Sequence, residues 1–264
     1  MRTALIDHAN IDEVGDTLRN LPRDTSLGTI ESNRSFMSRL GRPENVVPLL
    51  TDVLGNPERL SYVASRSYRH VNHFDKIVLV GNDDPQAYRL TLHLWQPPYS
   101  EKELSDELIH EHRFNFWSVI LTGVLCSETY EPSESGKTFR QYRYVPEARS
   151  RTFRDFYEFR GETRLEEKQL ARKVAGESYY LSAPTIHRIV LPRHRVTCSL
   201  VLRGPRLREY SNVFNSTYPV YDTQFGNAMF SEQAVADKLR ALVDSIYREP
   251  GLAPAGPLPA LVQS

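Results

Sequence analysis

The sequence predicts an all-β barrel or sandwich that is preceded by a helical segment and followed by a single helix. Apolar residues recur at helical spacing only near the two ends of the chain. Between them, about ten short runs rich in β-branched and aromatic residues follow one another at spacings of roughly 8–15 residues. With 40% hydrophobic residues in 264, the chain can build a large core.

Residues 1–66 are predicted to form a helical segment that packs on the barrel. Val14, Leu18 and Leu21 repeat at intervals of three and four, and a second apolar series runs from Val46 to Leu54. Glycine and proline interrupt these series and divide the segment into several short helices; they stand at Pro22, Gly28, Gly41, Pro43, Gly55 and Pro57.

Residues 67–215 contain the predicted strands. The clearest runs are FDKIVLVG, AYRLTLHLW, FNFWSVILTG, VLCSETY, TFRQYRYV, GESYYLSA, TIHRIVL and VTCSLVLRG, and most are separated by Gly, Pro, Asn, Asp or Ser. Short strands at such regular spacing indicate an all-β sandwich or barrel.

Residues 216–249 are expected to contain the C-terminal helix. Ser231 can cap its start, and its apolar stripe is formed by Ala234, Leu239, Leu242, Val243 and Ile246. Residues 250–264 are rich in proline and alanine, which predicts a flexible tail.

Composition excludes several classes of function. The chain has 33 basic and 33 acidic residues, so it lacks the surplus of positive charge that nucleic acids and anionic membranes require. Two cysteines cannot form a disulfide framework or a thiolate metal cage, which leaves histidine and carboxylate as metal ligands. No apolar stretch approaches the ~18 residues of a membrane span or resembles a secretion signal. We therefore expect a cytoplasmic protein with no nucleic acid or membrane partner.

The motif that carries chemistry is His110-Glu111-His112. Residues two apart on a strand project from the same face, so both imidazoles can point into a barrel. His187 begins another predicted strand after a turn at Pro184, and an antiparallel barrel can bring it beside the first two. The alternative is that His110 and His112 are two unrelated strand histidines, because so short a motif has a high false-positive rate.

The surroundings of this motif resemble a known family. The His-x-His pair is followed by an apolar strand and Gly123, and a second motif, G-x-x-Y-x-x-x-x-P-x-x-H, runs from Gly176 to His187. Together they resemble the paired motifs of the cupin superfamily. The resemblance implies a double-stranded β-helix, a small jelly roll, in which His110, His112 and His187 hold one divalent metal.

Within that superfamily, residues 60–210 resemble the layout of cysteine dioxygenase and related thiol dioxygenases. This implies a mononuclear Fe(II) on three neutral histidines, with positions left for a chelating substrate and O2. Two features depart from the pattern. Phe116 stands where many cupins have a ligating glutamate. The Ser-His-Tyr relay would fall on Ser199, Val201 and Arg203, of which only Ser199 matches. The chain is therefore interpreted as a divergent three-histidine cupin with its own substrate.

Four further residues are candidates for contacting substrate. Arg203 takes an interior position in the resembled family and could clamp a carboxylate, or it could face water at the strand end. Arg69 lies near the position of the family's substrate-binding arginine, offset by about one residue. Tyr142 and Tyr144 share one face of the strand FRQYRY, although the sequence leaves open which face lines the barrel.

The remaining histidines and the tryptophans carry weaker signals. His93 alternates with Trp95 and could assist the metal site or serve the core, and both Trp95 and Trp117 could wall a pocket or simply fill the interior. His8, His70, His73 and His194 lie near predicted loops or ends and belong to no motif.

The functional hypothesis is a non-haem iron oxygenase that acts on a small polar substrate such as an amino acid or amine derivative. Its partners would be that small molecule and O2, and the chain would be a monomer or a homodimer. Two alternatives remain open. The same site could use zinc, manganese or nickel as a Lewis acid in a lyase, isomerase or decarboxylase, or the protein could be a non-catalytic ligand-binding cupin.

Overall fold

Two antiparallel sheets face each other, and helices cover the outer face of one of them. The computed structural model describes residues 10–81, 83–144, 157–219 and 228–249. The architecture is the all-β jelly roll, or double-stranded β-helix, that the sequence predicts, with helices from both ends of the chain. The predicted flexible tail at 250–264 lies outside the described residues.

Most of the described helices begin at a residue whose side chain caps them, the helix that starts at Pro43 being an exception. Asn10, Ser26, Asn56 and Ser231 each accept hydrogen bonds from backbone N–H groups of the following first turn. The helices are α1 (Ile11–Asn20), α2 (Leu27–Leu40), α3 (Pro43–Gly55), α4 (Pro57–Ala64), α5 (Glu101–Ser105) and α6 (Glu232–Tyr247). None of them is both long enough and apolar enough to cross a membrane.

The strands form one six-stranded and one five-stranded sheet. In spatial order, the first sheet contains β1 (Tyr68–Arg69), β2 (Asp75–Val80), β3 (Arg89–Trp95), β10 (Thr197–Arg206), β5 (Phe114–Thr122) and β8 (Ser178–Leu181). The second contains β11 (Ser211–Asn215), β4 (Ile109–His110), β9 (Ile186–Val190), β6 (Val124–Tyr144) and β7 (Tyr157–Val174). β11 also pairs with β6.

Two long strands replace several short ones in the second sheet. The sequence predicts separate strands at VLCSETY and TFRQYRYV, whereas β6 runs through both as one strand of 21 residues. Pro132 and Lys137 both align with Leu165 of β7, so the residues between them leave the ladder as a bulge. A bulge lets the chain continue in the same direction, where the sequence pattern had predicted a turn.

Alternation along the first sheet divides its side chains between two layers. Leu92, Leu200 and Val119 point outward into the core beneath the helices, and Trp117 belongs to this layer because its Nε1 donates to the carbonyl of Ile30 at 2.9 Å. Each fully buried leucine contributes about 2 kcal/mol to folding. The residues of opposite parity, among them His93 and Ser199, therefore face the other sheet across the barrel interior.

Candidate metal centre

Three histidines converge where strands β4 and β9 meet. His110 and His187 are direct cross-strand partners, and their ring centroids lie 4.6 Å apart. His112, two residues after His110, places its ring 4.8 Å from His110 and 5.0 Å from His187. One ring nitrogen from each residue lies within 4.8 Å of the other two. The structure thus brings together the three residues that the sequence nominated as ligands.

Backbone carbonyls orient two of these rings. Nδ1 of His110 lies 2.7 Å from the carbonyl oxygen of Leu108, and Nδ1 of His187 lies 3.3 Å from that of Thr185. A carbonyl can only accept, so Nδ1 carries the hydrogen in each ring and Nε2 keeps its lone pair. Nε2 of His112 is buried and has no hydrogen-bond partner. All three rings can therefore present Nε2 as a ligand.

Burial keeps these imidazoles neutral. It lowers the pKa of His110 and, together with neighbouring histidines, holds the pKa of His112 well below its usual value. Burial, with the nearby His110, lowers the pKa of His187 to about 3. His110 and His112 are partly exposed, so the part of the barrel interior beside the three rings, called the cleft below, is not fully closed to water. Neutral imidazole is the form that binds metal.

A partly buried ion pair behind the cluster fixes the segment that carries His112. The guanidinium of Arg208 donates to Glu111 Oε2 at 2.6 Å and to the backbone carbonyl of His112 at 2.8 Å. Glu111 also accepts from the amide of Asn212 at 2.9 Å. The backbone N–H of His112 in turn donates to the carbonyl of Ala183 at 3.0 Å, in the turn that leads to His187. This network positions ligands that come from distant parts of the chain.

The donor set fits a divalent transition metal. Three neutral imidazoles with one unpartnered buried nitrogen match the nitrogen ligation that iron, zinc, nickel and copper accept. The ring of Phe116 lies 5.0 Å from that of His112 and 6.4 Å from that of His187. An apolar side chain thus stands beside the cluster at the position where a glutamate would add a negative charge.

Asn72 and a stack of aromatic rings next to it lie beside the ligands, although the sequence assigned these residues to no motif. His70, Phe74 and His93 form a stack with successive ring centroids 4.5 and 4.3 Å apart. The amide nitrogen of Asn72 lies 3.5 Å from Nε2 of His110. His70 and Asn72 belong to a loop, where no periodicity indicates which way a side chain points. Their position beside the ligands is therefore visible only in the folded structure.

The side chain of Arg203 lies on the face of β10 that points into the barrel, but its guanidinium is hydrogen-bonded to backbone carbonyls. Its guanidinium donates to the carbonyls of Ala87 at 2.9 Å and Pro85 at 3.4 Å, and it lies over the ring of Phe114. Burial lowers the pKa of Arg203 to about 10. It is 9% exposed, so it does not face water as the sequence allowed. Among the described residues, the hydrogen bonds and the ring contact of Arg203 do not reach the three histidines.

Arg69, Tyr142 and Tyr144, the other three candidates for contacting substrate, contact residues other than the three histidines. Arg69 forms ion pairs with Asp75 at 3.3 Å and Glu103 at 3.2 Å, so two carboxylates already occupy its guanidinium. Tyr142 is buried against Val213, which separates it from His110 in the sheet, and Tyr144 stacks on Tyr157 at 5.2 Å. Trp117, a possible pocket wall, lies on the helical side, whereas Trp95 packs inside the barrel.

Comparison with known proteins finds similarity only among solved structures. No protein-family model and no curated protein matches the chain. A DMSP lyase structure is similar over 50% of this chain and 47% of its own, with 15% identity and a TM-score of 0.27. Hydroxypropylphosphonic acid epoxidase from S. wedmorenis is similar over 52% of this chain and 53% of its own, with 13% identity and a TM-score of 0.30. The chain thus spans about half the length of these two proteins.

A shorter protein is matched over more of its length. A cupin-2 domain protein from Shewanella frigidimarina is similar over 51% of this chain and 82% of its own, with 14% identity and a TM-score of 0.26.

Proposed function

We propose that the chain is a mononuclear non-haem iron oxygenase of the cupin type, with Fe(II) held by His110, His112 and His187. The observation that carries this proposal is the convergence of three neutral imidazoles, with no carboxylate among them, in a partly exposed part of the barrel interior. When bound there, a redox-active divalent metal supplies a site at which a chelating substrate and O2 can meet.

The protein's own residues perform the supporting roles. The carbonyls of Leu108 and Thr185 hold Nδ1 of two ligand rings, so that Nε2 faces the cleft. Phe116 packs against the ligand rings and keeps water from that side. Tyr179 lies next to Phe116, with ring centroids 6.1 Å apart, and burial raises the pKa of its hydroxyl to about 12. Tyr179 therefore remains a neutral hydrogen-bond donor at the pH of a cell.

The buried polar groups beside this site suit a small polar substrate. Aromatic rings lie beside the cluster, and the inward-facing hydroxyl of Ser199 is buried without a hydrogen-bond partner. A buried hydroxyl without a partner costs about 1–3 kcal/mol, which a polar ligand group can offset by hydrogen bonding. An amino acid or amine derivative offers such groups, so we retain that substrate class.

Oxygen uptake by iron-loaded protein tests the proposal. The protein is loaded with Fe(II) under anaerobic conditions and then mixed with O2 and a panel of amino acids, amines and thiols. We expect substrate-dependent uptake that is lost in His112→Ala and kept in His194→Ala, since His194 is exposed and distant from any motif. Full metal binding without uptake for any substrate contradicts an oxygenase. Turnover with zinc or manganese in the absence of O2 would instead favour a Lewis-acid lyase or isomerase.

A further inference from the structure

The loop of residues 70–74 forms the wall of the cleft beside the metal ligands. The backbone N–H of His70 donates to the carbonyl of Phe74 at 2.8 Å, and that of His73 donates to the carbonyl of His70 at 3.0 Å, which closes the loop. The ring of Phe74 lies between those of His70 and His93. The side chain of Asn72 reaches Nε2 of His110 at 3.5 Å, so this loop adjoins the metal centre.

Hydrogen bonding fixes the tautomer of His70. The backbone N–H of Asn72 donates to Nδ1 of His70 at 3.2 Å, so a neutral ring carries its hydrogen on Nε2. No described residue accepts a hydrogen bond from that Nε2–H. The ring is half-buried and held flat against Phe74, so its orientation is set before any ligand binds. His70 therefore offers a pre-oriented N–H donor at the wall of the cleft.

The charge of the cleft favours an anion at this donor. By strand alternation, the inward-facing residues of the first sheet are neutral or basic. Lys76 is the cross-strand partner of His93, and its positive charge adds to burial in lowering the pKa of both His70 and His93. A divalent ion on three neutral imidazoles keeps its full double charge. A ligand that carries negative charge would compensate that charge.

We propose that His70 is a substrate-binding residue whose Nε2–H donates to a carboxylate-type oxygen of a small organic anion bound at the metal centre. The inference rests on the proposed metal site and specifies its substrate class: the substrate carries at least one carboxylate near its metal-binding end. The stacking of Phe74 on the His70 ring holds that ring in a fixed orientation. An amino acid satisfies this requirement through its carboxylate, whereas a simple amine does not.

Cobalt(II)-loaded protein allows ligand binding to be measured without turnover. Cobalt(II) has visible absorption bands that change when its coordination changes, so titration gives a Kd. Two probes form a matched pair, because glycolate and glycolamide differ only in that a carboxylate replaces a neutral amide. The variants are His70→Phe, which keeps a stacking ring but has no donor, and His70→Gln, which keeps an N–H donor. His194→Gln changes an exposed histidine and serves as the control.

We expect wild-type protein to bind glycolate at least about tenfold more tightly than glycolamide. His70→Phe should weaken glycolate about tenfold or more, the usual loss for a hydrogen bond to a charged group, with cobalt content and glycolamide affinity unchanged. His70→Gln should recover part of the loss. If the glycolate Kd is unchanged in His70→Phe, the inference is overturned while the proposed metal site stands. The same conclusion holds if His70→Phe weakens the binding of glycolate and glycolamide equally.

Other outcomes separate the inference from the proposed function. Loss of cobalt from His70→Phe shows that His70 supports the metal rather than the ligand, and this overturns the inference. Failure of wild-type protein to bind cobalt, zinc or iron overturns the metal site and the inference together. If the glycolate effect is found but no substrate drives oxygen uptake, the oxygenase reaction alone is wrong.

Discussion

His110 and His187 are direct cross-strand partners in neighbouring antiparallel strands, and their ring centroids lie 4.6 Å apart although the two residues are far apart in the sequence. The carbonyl oxygen two residues before each histidine lies near its Nδ1. The same local device therefore orients both rings, and the sheet register places them opposite each other.

The three histidines are expected to be jointly necessary for metal binding. His110→Ala or His187→Ala removes one of only three ligands, so the metal-to-protein ratio should fall from about one to near zero after desalting. Elemental analysis of the purified protein measures this ratio. His194→Ala should retain full metal content because His194 is exposed. Full occupancy in both ligand variants would show that the metal binds elsewhere.

Arg208 is expected to support metal binding without touching the metal. Arg208→Met removes its bonds to Glu111 and to the carbonyl of His112, which should weaken zinc affinity by about 10- to 100-fold. It also leaves a buried carboxylate unpaired and should lower the free energy of unfolding by a few kcal/mol. Competition with a coloured chelator measures the affinity.

The double variant Glu111→Gln with Arg208→Met separates these two effects. Neutralising residue 111 should restore most of the stability, because no uncompensated charge remains, while affinity stays low because the carbonyl of His112 is still unheld. If metal affinity in Arg208→Met equals that of the wild type, the buried pair serves only the stability of the fold.

The metal-free protein is expected to lose stability as the pH falls below about 6.5, the usual pKa of histidine. Burial holds the pKa values of His110, His112 and His187 below the value they have in the unfolded chain. The unfolded chain then takes up protons that the folded chain does not, at a cost of up to about 1.4 kcal/mol per pH unit for each such histidine. Urea unfolding at pH 7.5, 6.5 and 5.5 measures this slope.

His187→Phe provides a comparison for that slope. It removes one buried imidazole, so the loss of unfolding free energy between pH 6.5 and 5.5 should be smaller by up to about 1 kcal/mol. His194→Phe should leave the slope as in the wild type, since His194 is exposed. A slope that does not change in His187→Phe would mean that this ring is protonated alike in both states.

Phe116 is expected to control the charge of the site. Phe116→Glu places a carboxylate beside His112 and His187, where it should raise the affinity for zinc on the order of tenfold and weaken glycolate binding to the cobalt protein. Without metal the variant should be less stable, because residue 116 is only 8% exposed and the new charge would be buried. Glutamine has nearly the same shape as glutamate but carries no charge. Phe116→Gln should therefore change neither the affinity for zinc nor the binding of glycolate.

The sequence by itself determined most of the strand positions outside the long strands β6 and β7, the helices at both ends, the cap at Ser231 and the pair His110 and His112. These features depend on local rules, since period and capping chemistry act within a few residues. Burial of the Trp117 side chain was also expected, but not the layer to which it belongs, because either face of this sheet is apolar.

Only the tertiary structure decided which distant residues meet at the metal centre. It joined His187 to the first pair, put Arg69 against two carboxylates and Arg203 against carbonyls, and brought the loop of His70 and Asn72 beside the ligands. The physical reason is register: alternation shows that two side chains share a face, but only the pairing of whole strands shows which residue of another strand lies opposite. Loop residues have no period, so their direction depends on contacts that form after the sheets assemble.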